Sequence, residues 1–351
     1  SGCYNIFFGD CAGKNTTTGK YNLALGTSAL QNGTVSGNYN TAFGNQAGWN
    51  VSSGTFNFFG GYKAGYCVST GNCNIAIGKG SGGGTSNSAS SGSQNVSIGA
   101  GAGGEFTSGG CNTFVGFYAG FEDTTGAFNV AMGALAGHQI CTGSYNIAFG
   151  YYAGCDIKTG SSNVMIGQCA GRNREGTSNN IFIGKDAGCC EGTSGNNIGI
   201  GQDALKGAGG NHEHNIALGN YAGRALTDGD HNILLGRCSG SNLNTGSNNV
   251  ALGQNALGEG TVTGNCNVAL GYYAGSKITS GTNNVFLGNS AACCATTAGI
   301  NVAIGYHAGK DSLTIGFRNI LIGKEVELPI KTGTDQQQSD QLAIGCGSCY
   351  W

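Results

Sequence analysis

The sequence predicts an all-β protein, a parallel β-solenoid (a β-roll) of about 20 coils with a 17–18 residue repeat. The first observation is a recurring phrase, Asn-φ-x-φ-Gly, plainest at Asn74-Ile75-Ala76-Ile77-Gly78. Its Asn falls at 5, 22, 40, 57, 74, 95, 112, 129, 146, 163, 180, 197, 215, 232, 249, 267, 284, 301 and 319, with a degenerate copy at Gln341. A fixed period this short marks stacked supersecondary units. The second observation is composition: Gly is 69 of 351 residues and Pro is 1. Gly does not recur at every third position, so collagen is excluded, and tight solenoid corners account for it. The third is that apolar residues alternate in register through each phrase, which disfavours disorder.

Each coil opens with its strand. Counting the Asn as position zero, position +1 is Ile6, Leu23, Ile75 and Val130, and position +3 is Phe8, Leu25, Ile77 and Met132, with equivalents in nearly every coil. Period-two geometry puts both on one face. Position +2 lies on the other and is also apolar: Ala24, Ala42, Phe59, Ala76, Phe114, Ala131, Ala148, Phe182, Ala251 and Phe286. A strand apolar on both faces is buried on both faces. The reading assigns +1 and +3 to the coil interior and +2 to an assembly face.

Next comes Gly at +4, then a small residue at +7 and often Gly at +8, as in Tyr151-Tyr152-Ala153-Gly154. This segment forms the return side. A polar loop follows, commonly closed by Thr-Gly before the next Asn, as in Thr142-Gly143. Parallel strands about 4.8 Å apart would make twenty coils a rod of roughly 95 Å.

Stacking in register makes ladders. The Asn column, including Asn57, Asn74, Asn112, Asn129, Asn146 and Asn163, is expected to bond from coil to coil, as Asn ladders do in cross-β stacks. At position −1, Tyr4, Tyr21, Tyr39, Phe56, Phe128 and Tyr145 should stack as rings. Two stretches break the period. Gly80 to Gly92 holds about four extra residues and reads as a flexible loop. From Glu325 the pattern loosens around Pro329 and the polar run 335–340. The domain reading is therefore a repeat rod over 1–324 and an irregular C-terminal segment over 325–351 with a last degenerate coil. The chain begins mid-phrase, so it reads as part of something longer.

The phrases at Asn146 to Gly160 and Asn301 to Gly309 resemble the repeat of phage and other viral tail-fibre-like proteins. They are also similar, with a longer loop, to the head repeat of trimeric autotransporter adhesins. The resemblance implies a left-handed β-roll, association as trimers, and the +2 face as the subunit contact. The many cysteines depart from the family pattern, as does the lack of the self-cleaving chaperone domain that often ends such proteins.

Chemistry is sparse. Charged residues are 10% and net charge is −2, which gives no footprint for nucleic acid or an anionic membrane. No apolar run is long enough for a membrane span. No nucleophile, acid pair or phosphate loop stands out, so the chain reads as a non-enzyme without cofactor. His214 and His231 share position −1 in adjacent coils and are the weak metal candidates, set against solvated corner histidines. Sixteen cysteines admit three readings: buried small hydrophobes, metal or redox chemistry, or disulfides, with Cys67 and Cys73 or Cys155 and Cys169 as pairs. Tyr151-Tyr152, Tyr272-Tyr273 and Phe117-Tyr118 read either as rings packed under loops or between subunits, or as a sugar-stacking surface. Asn15, Asn32 and Asn50 open glycosylation sequons.

The leading functional reading is a structural, adhesin-like fibre on a virion or cell surface that self-associates, as a homotrimer, and supports attachment. The alternatives are a module binding cell-surface glycan or ice directly, and the subunit of an end-to-end extracellular filament.

Overall fold

A computed structural model describes residues 2–83, 89–190, 192, 194–207, 210–328 and 339–347, and the backbone of 349–350. The proline and most of the polar run near the C-terminus lie outside these residues, as does the middle of the Gly80 to Gly92 loop. The protein is the expected β-solenoid. From β1 (Ile6–Phe8) to β19 (Ile320–Ile322) every strand is three residues long, and each begins just after the phrase's Asn. Nothing longer forms, because the Gly at +4 turns the chain immediately.

The chain divides into two compact units, 1–178 and 179–351. In the first, β1 to β10 (Val164–Ile166) pair in parallel, each with the next. Like positions face like: Val130, Ala131 and Met132 align with Ile147, Ala148 and Phe149. In the second unit, β11 (Ile181–Ile183) to β20 (Leu342–Cys346) repeat the pattern. The register survives the longer step into β20, where Ile320, Leu321 and Ile322 meet Leu342, Ala343 and Ile344. A short β21 (Cys349–Tyr350) then pairs antiparallel with β20.

The interior is the reverse of the sequence expectation. Ala24, Ala42, Phe59, Ala76, Phe114, Ala131, Ala148, Phe182, Ala251 and Phe286 are all at most 1% exposed within the single chain. The +2 column is therefore the core and cannot be an assembly face. It is joined inside by the +7 alanines, such as Ala47, Ala64 and Ala153, and by a third column that includes Val51, Ile140 and Ile157. The reason is width. A coil this short has limited room inside, and filling beyond it is overpacking. Phe59 accordingly pairs with Ala42 on one side and Ala76 on the other. Phe286 likewise sits between Ala269 and Ala303.

Position +8 responds to the same space. Gly65 has φ of +61°, and a Cβ there would lie 2.1 Å from the Phe59 ring. In three coils whose +2 residue is small, Ala24, Gly199 and Ala251, +8 is Leu30, Leu205 or Leu257, fully buried in the same left-handed conformation, whereas beside Ala42, Ala76 and Ala131 it stays Gly48, Gly82 and Gly137. The three leucine coils are among the 18-residue ones. Among the described residues the third column also carries an acid, Asp123, at 0% exposure. One of its oxygens accepts from Asn129 Nδ2 at 3.0 Å, and the other lies against the Gly126 backbone. Burial holds this carboxyl well above the usual carboxylate range, and hydrogen bonding to Asn129 and to the Gly126 backbone opposes that only in part.

Candidate functional site

Turning +2 inward turns +1 and +3 outward. Ile75 and Ile77 in the first unit are 39% and 40% exposed, and Leu218 in the second is 38%. Across all coils neither position carries a charge, and only Thr41, Thr113 and Gly60 depart from large apolar residues. Each unit thus presents two parallel apolar columns, a contiguous exposed apolar surface of the kind that marks an interaction site. The backbone under them is fixed by coil-to-coil bonds such as Val130 N–H to the Asn146 carbonyl at 2.8 Å. Two signals in the sequence could have given this orientation: the Ala-rich, size-compensated +2 column, and the bulky aliphatics at +1 and +3.

Beside this face runs the Asn ladder, buried to within 2% of full coverage in these coils. In Asn57, Asn74, Asn112, Asn129, Asn146 and Asn163 the backbone N–H donates to the side-chain Oδ1 of the preceding Asn, at 2.8–3.2 Å. Each Nδ2 donates to the carbonyl three residues before the next Asn, as from Asn146 to Gly160 at 2.8 Å. Only a carbonyl is needed there, so Asn163 reaches Thr177 and Asn284 reaches Ala298 equally well.

Position −1 is a second ladder. Tyr4, Tyr21, Tyr39 and Phe56 stack with ring centroids 4.9–5.0 Å apart, and Phe128 stacks on Tyr145 at 5.0 Å. All hold φ between 57° and 62°, a left-handed conformation costing an L-residue about 1–2 kcal/mol. Glycine would relieve that cost but would leave no ring to stack. His214 and His231 belong to the same ladder, with centroids 4.9 Å apart and planes within 7°. Parallel rings direct their in-plane lone pairs side by side rather than toward one ion. Among the described residues no group of three His, Cys, Asp or Glu converges.

The tyrosine pairs are T-shaped, 4.5 Å apart for Tyr151 with Tyr152 and 4.4 Å for Tyr272 with Tyr273. Phe117 and Tyr118 are arranged likewise. The +5 ring stands about half exposed in each case and the +6 ring props it from below. Some threonine hydroxyls in the polar loops are spent internally. Thr107, Thr124, Thr279 and Thr296 each donate to a carbonyl of the next coil.

The expected disulfides do not form. Cys67, Cys73, Cys155 and Cys169 are all thiols. Cys67 is buried while Cys73 is exposed at position −1, so their side chains leave the backbone toward opposite environments. Burial pushes the Cys67 thiol up to about 11 and Cys155 to about 12. A raised thiol pKa contributes stability below the ordinary thiol range, lost as pH climbs toward the folded value. Thiolate is the reactive form. At pH 8 a small alkylating reagent should therefore modify Cys73 and Cys266 and spare Cys67 and Cys155, as read by peptide mass spectrometry. Equal rates at Cys67 and Cys73 would contradict this placement.

Fold and surface together define a β-solenoid repeat protein. No model of a known protein family matches the chain, and no curated protein matches it.

Proposed function

We propose that this is a structural fibre protein whose β-solenoid repeats self-associate, as a homotrimer, on a virion or cell surface and support attachment there. The observation that carries the reading is the uncharged +1/+3 face, repeated in every coil and uncovered within the chain. Water contact along two such columns is unfavourable by roughly 25 cal/mol per Å², so covering them with the same face of another copy is strongly driven. A face repeated identically on each copy and turned toward a shared axis also suits closed cyclic symmetry. The resemblance to tail-fibre and autotransporter repeats, seen in the phrases at Asn146 and Asn301, supports the surface-fibre setting. It also supports reading the chain as a non-enzyme.

The assembly contact so proposed is +1/+3, not +2. Sedimentation equilibrium should give three times the 35.2 kDa chain mass at micromolar concentration. Ile77→Asp combined with Leu252→Asp places one charge on the face of each unit. That variant should fall to monomer while keeping the β-type circular dichroism of the parent. A parent that sediments as a monomer would sink the proposal.

A further inference from the structure

We propose that an open cleft on the return side of the second unit binds an anionic saccharide through a carboxylate or sulfate group. The cleft holds about 360 Å³ and is lined by Tyr221, Arg224, Arg237, Cys238, Ser241 and Asn242. It bridges two adjacent coils: Tyr221 and Arg224 follow Asn215, and the other four follow Asn232. Two exposed arginine side chains thus line one space, in a chain with few charges and with no carboxylate lining that space. Neither arginine makes an ion pair among the described residues.

Three other polar groups of the wall are already engaged. The Tyr221 hydroxyl lies 3.2 Å from Gln202 Nε2, the Ser241 hydroxyl donates to the Gly258 carbonyl at 2.8 Å, and Asn242 Nδ2 donates to the Glu259 carbonyl at 3.0 Å. What remains unmatched is a pair of planar donor forks, and their complement is an oxyanion. The Arg224 guanidinium carbon lies 5.4 Å from the Tyr221 ring centroid, a cation–π contact that holds one fork in place before a ligand arrives. The volume is at the low end of small-molecule sites, room for one sugar ring with its charged substituent while neighbouring sugars stay in solvent. A sugar is favoured over a bare ion because the ring and the serine and asparagine surfaces offer a second, neutral contact area beside the forks.

This inference does not rest on self-association, since the cleft belongs to the return segment and not to the strand face. Calorimetric titration of the full chain with a heparin-derived hexasaccharide and with oligogalacturonate tests it and separates the sulfate from the carboxylate source. Binding by either supports the proposal, and the tighter one identifies the group. Arg224→Gln and Arg237→Gln should each weaken that binding at least about tenfold. Lys277→Gln should leave it unchanged, and circular dichroism should show all three variants folded. The proposal is overturned if neither saccharide binds, or if maltohexaose or inorganic sulfate binds as tightly. Unaltered affinity in both arginine variants would also overturn it, as would tighter binding of a single-stranded oligonucleotide.

Discussion

Gly150→Ala is expected to unfold the coils around it, at a cost of about 4 kcal/mol or more. Gly150 occupies position +4 with φ of +129°, a region that side chains rarely enter. It also stacks directly on the equivalent glycine of the next coil. A Cβ at Gly150 would lie 2.7 Å from the Gly167 carbonyl oxygen and 2.8 Å from its carbon. Both obstacles are backbone held in the coil-to-coil ladder, so neither can rotate away as a side chain would. The same collision recurs at Gly133 against Gly150, which is why the turn after each strand keeps its glycine. Gly60→Ala is the contrasting case. Gly60 lies on the outer face at +3 without a positive φ, and its nearest obstacle is a Phe58 ring carbon at 3.4 Å. Alanine there should be neutral or slightly stabilising, since it removes glycine's conformational freedom from the unfolded chain. Chemical denaturation with amide exchange near each site measures both. Equal stability of the two variants would mean that the +4 stack does not hold the coils together.

The period, the strand positions and the register were legible because each coil repeats them with little variation, and repetition converts weak local signals into one strong one. The Asn column was legible for the same reason: a side chain carrying both a donor and an acceptor, at every repeat of a parallel stack, has an obvious partner. The inward face was not. Alternation states only that Ile75 and Ile77 share a side and Ala76 does not, and with all three apolar it cannot say which side is wet. That choice is made by turn geometry. The left-handed residues at −1, +6 and +8, such as Tyr145, Tyr152 and Leu205, close the coil tightly around +2. Nothing in residue preference announces tyrosine or leucine at positive φ. The cleft was hidden for a related reason. Arg224 and Arg237 are separated along the chain and form no motif, and only the stacking of two coils brings them to one space.

Asn146→Ala is expected to cost about 3–5 kcal/mol, more than an ordinary buried polar truncation, because the ladder shares each amide among three coils. Asn146 Oδ1 accepts from the backbone N–H of Asn163 at 3.1 Å and from its Nδ2 at 3.0 Å. Its Nδ2 donates to the Gly160 carbonyl at 2.8 Å and to Asn129 Oδ1 at 3.2 Å. Alanine leaves the Asn163 N–H and the Gly160 carbonyl orphaned at buried sites. Asn146→Asp is the sharper test, because it keeps the shape and the acceptor. It removes the donor to Gly160 and sets a buried negative charge against Asn129 Oδ1 and the Gly160 carbonyl. The aspartate variant should therefore be at least as damaging as alanine at pH 7. It should recover in part as pH falls through the raised pKa of the buried acid, where the protonated carboxyl can again donate. Thermal denaturation at pH 4 and pH 7 reads the difference. An aspartate variant with the parent's stability at pH 7 would show that the amide donor contributes nothing, and would reduce the ladder to a filler of space.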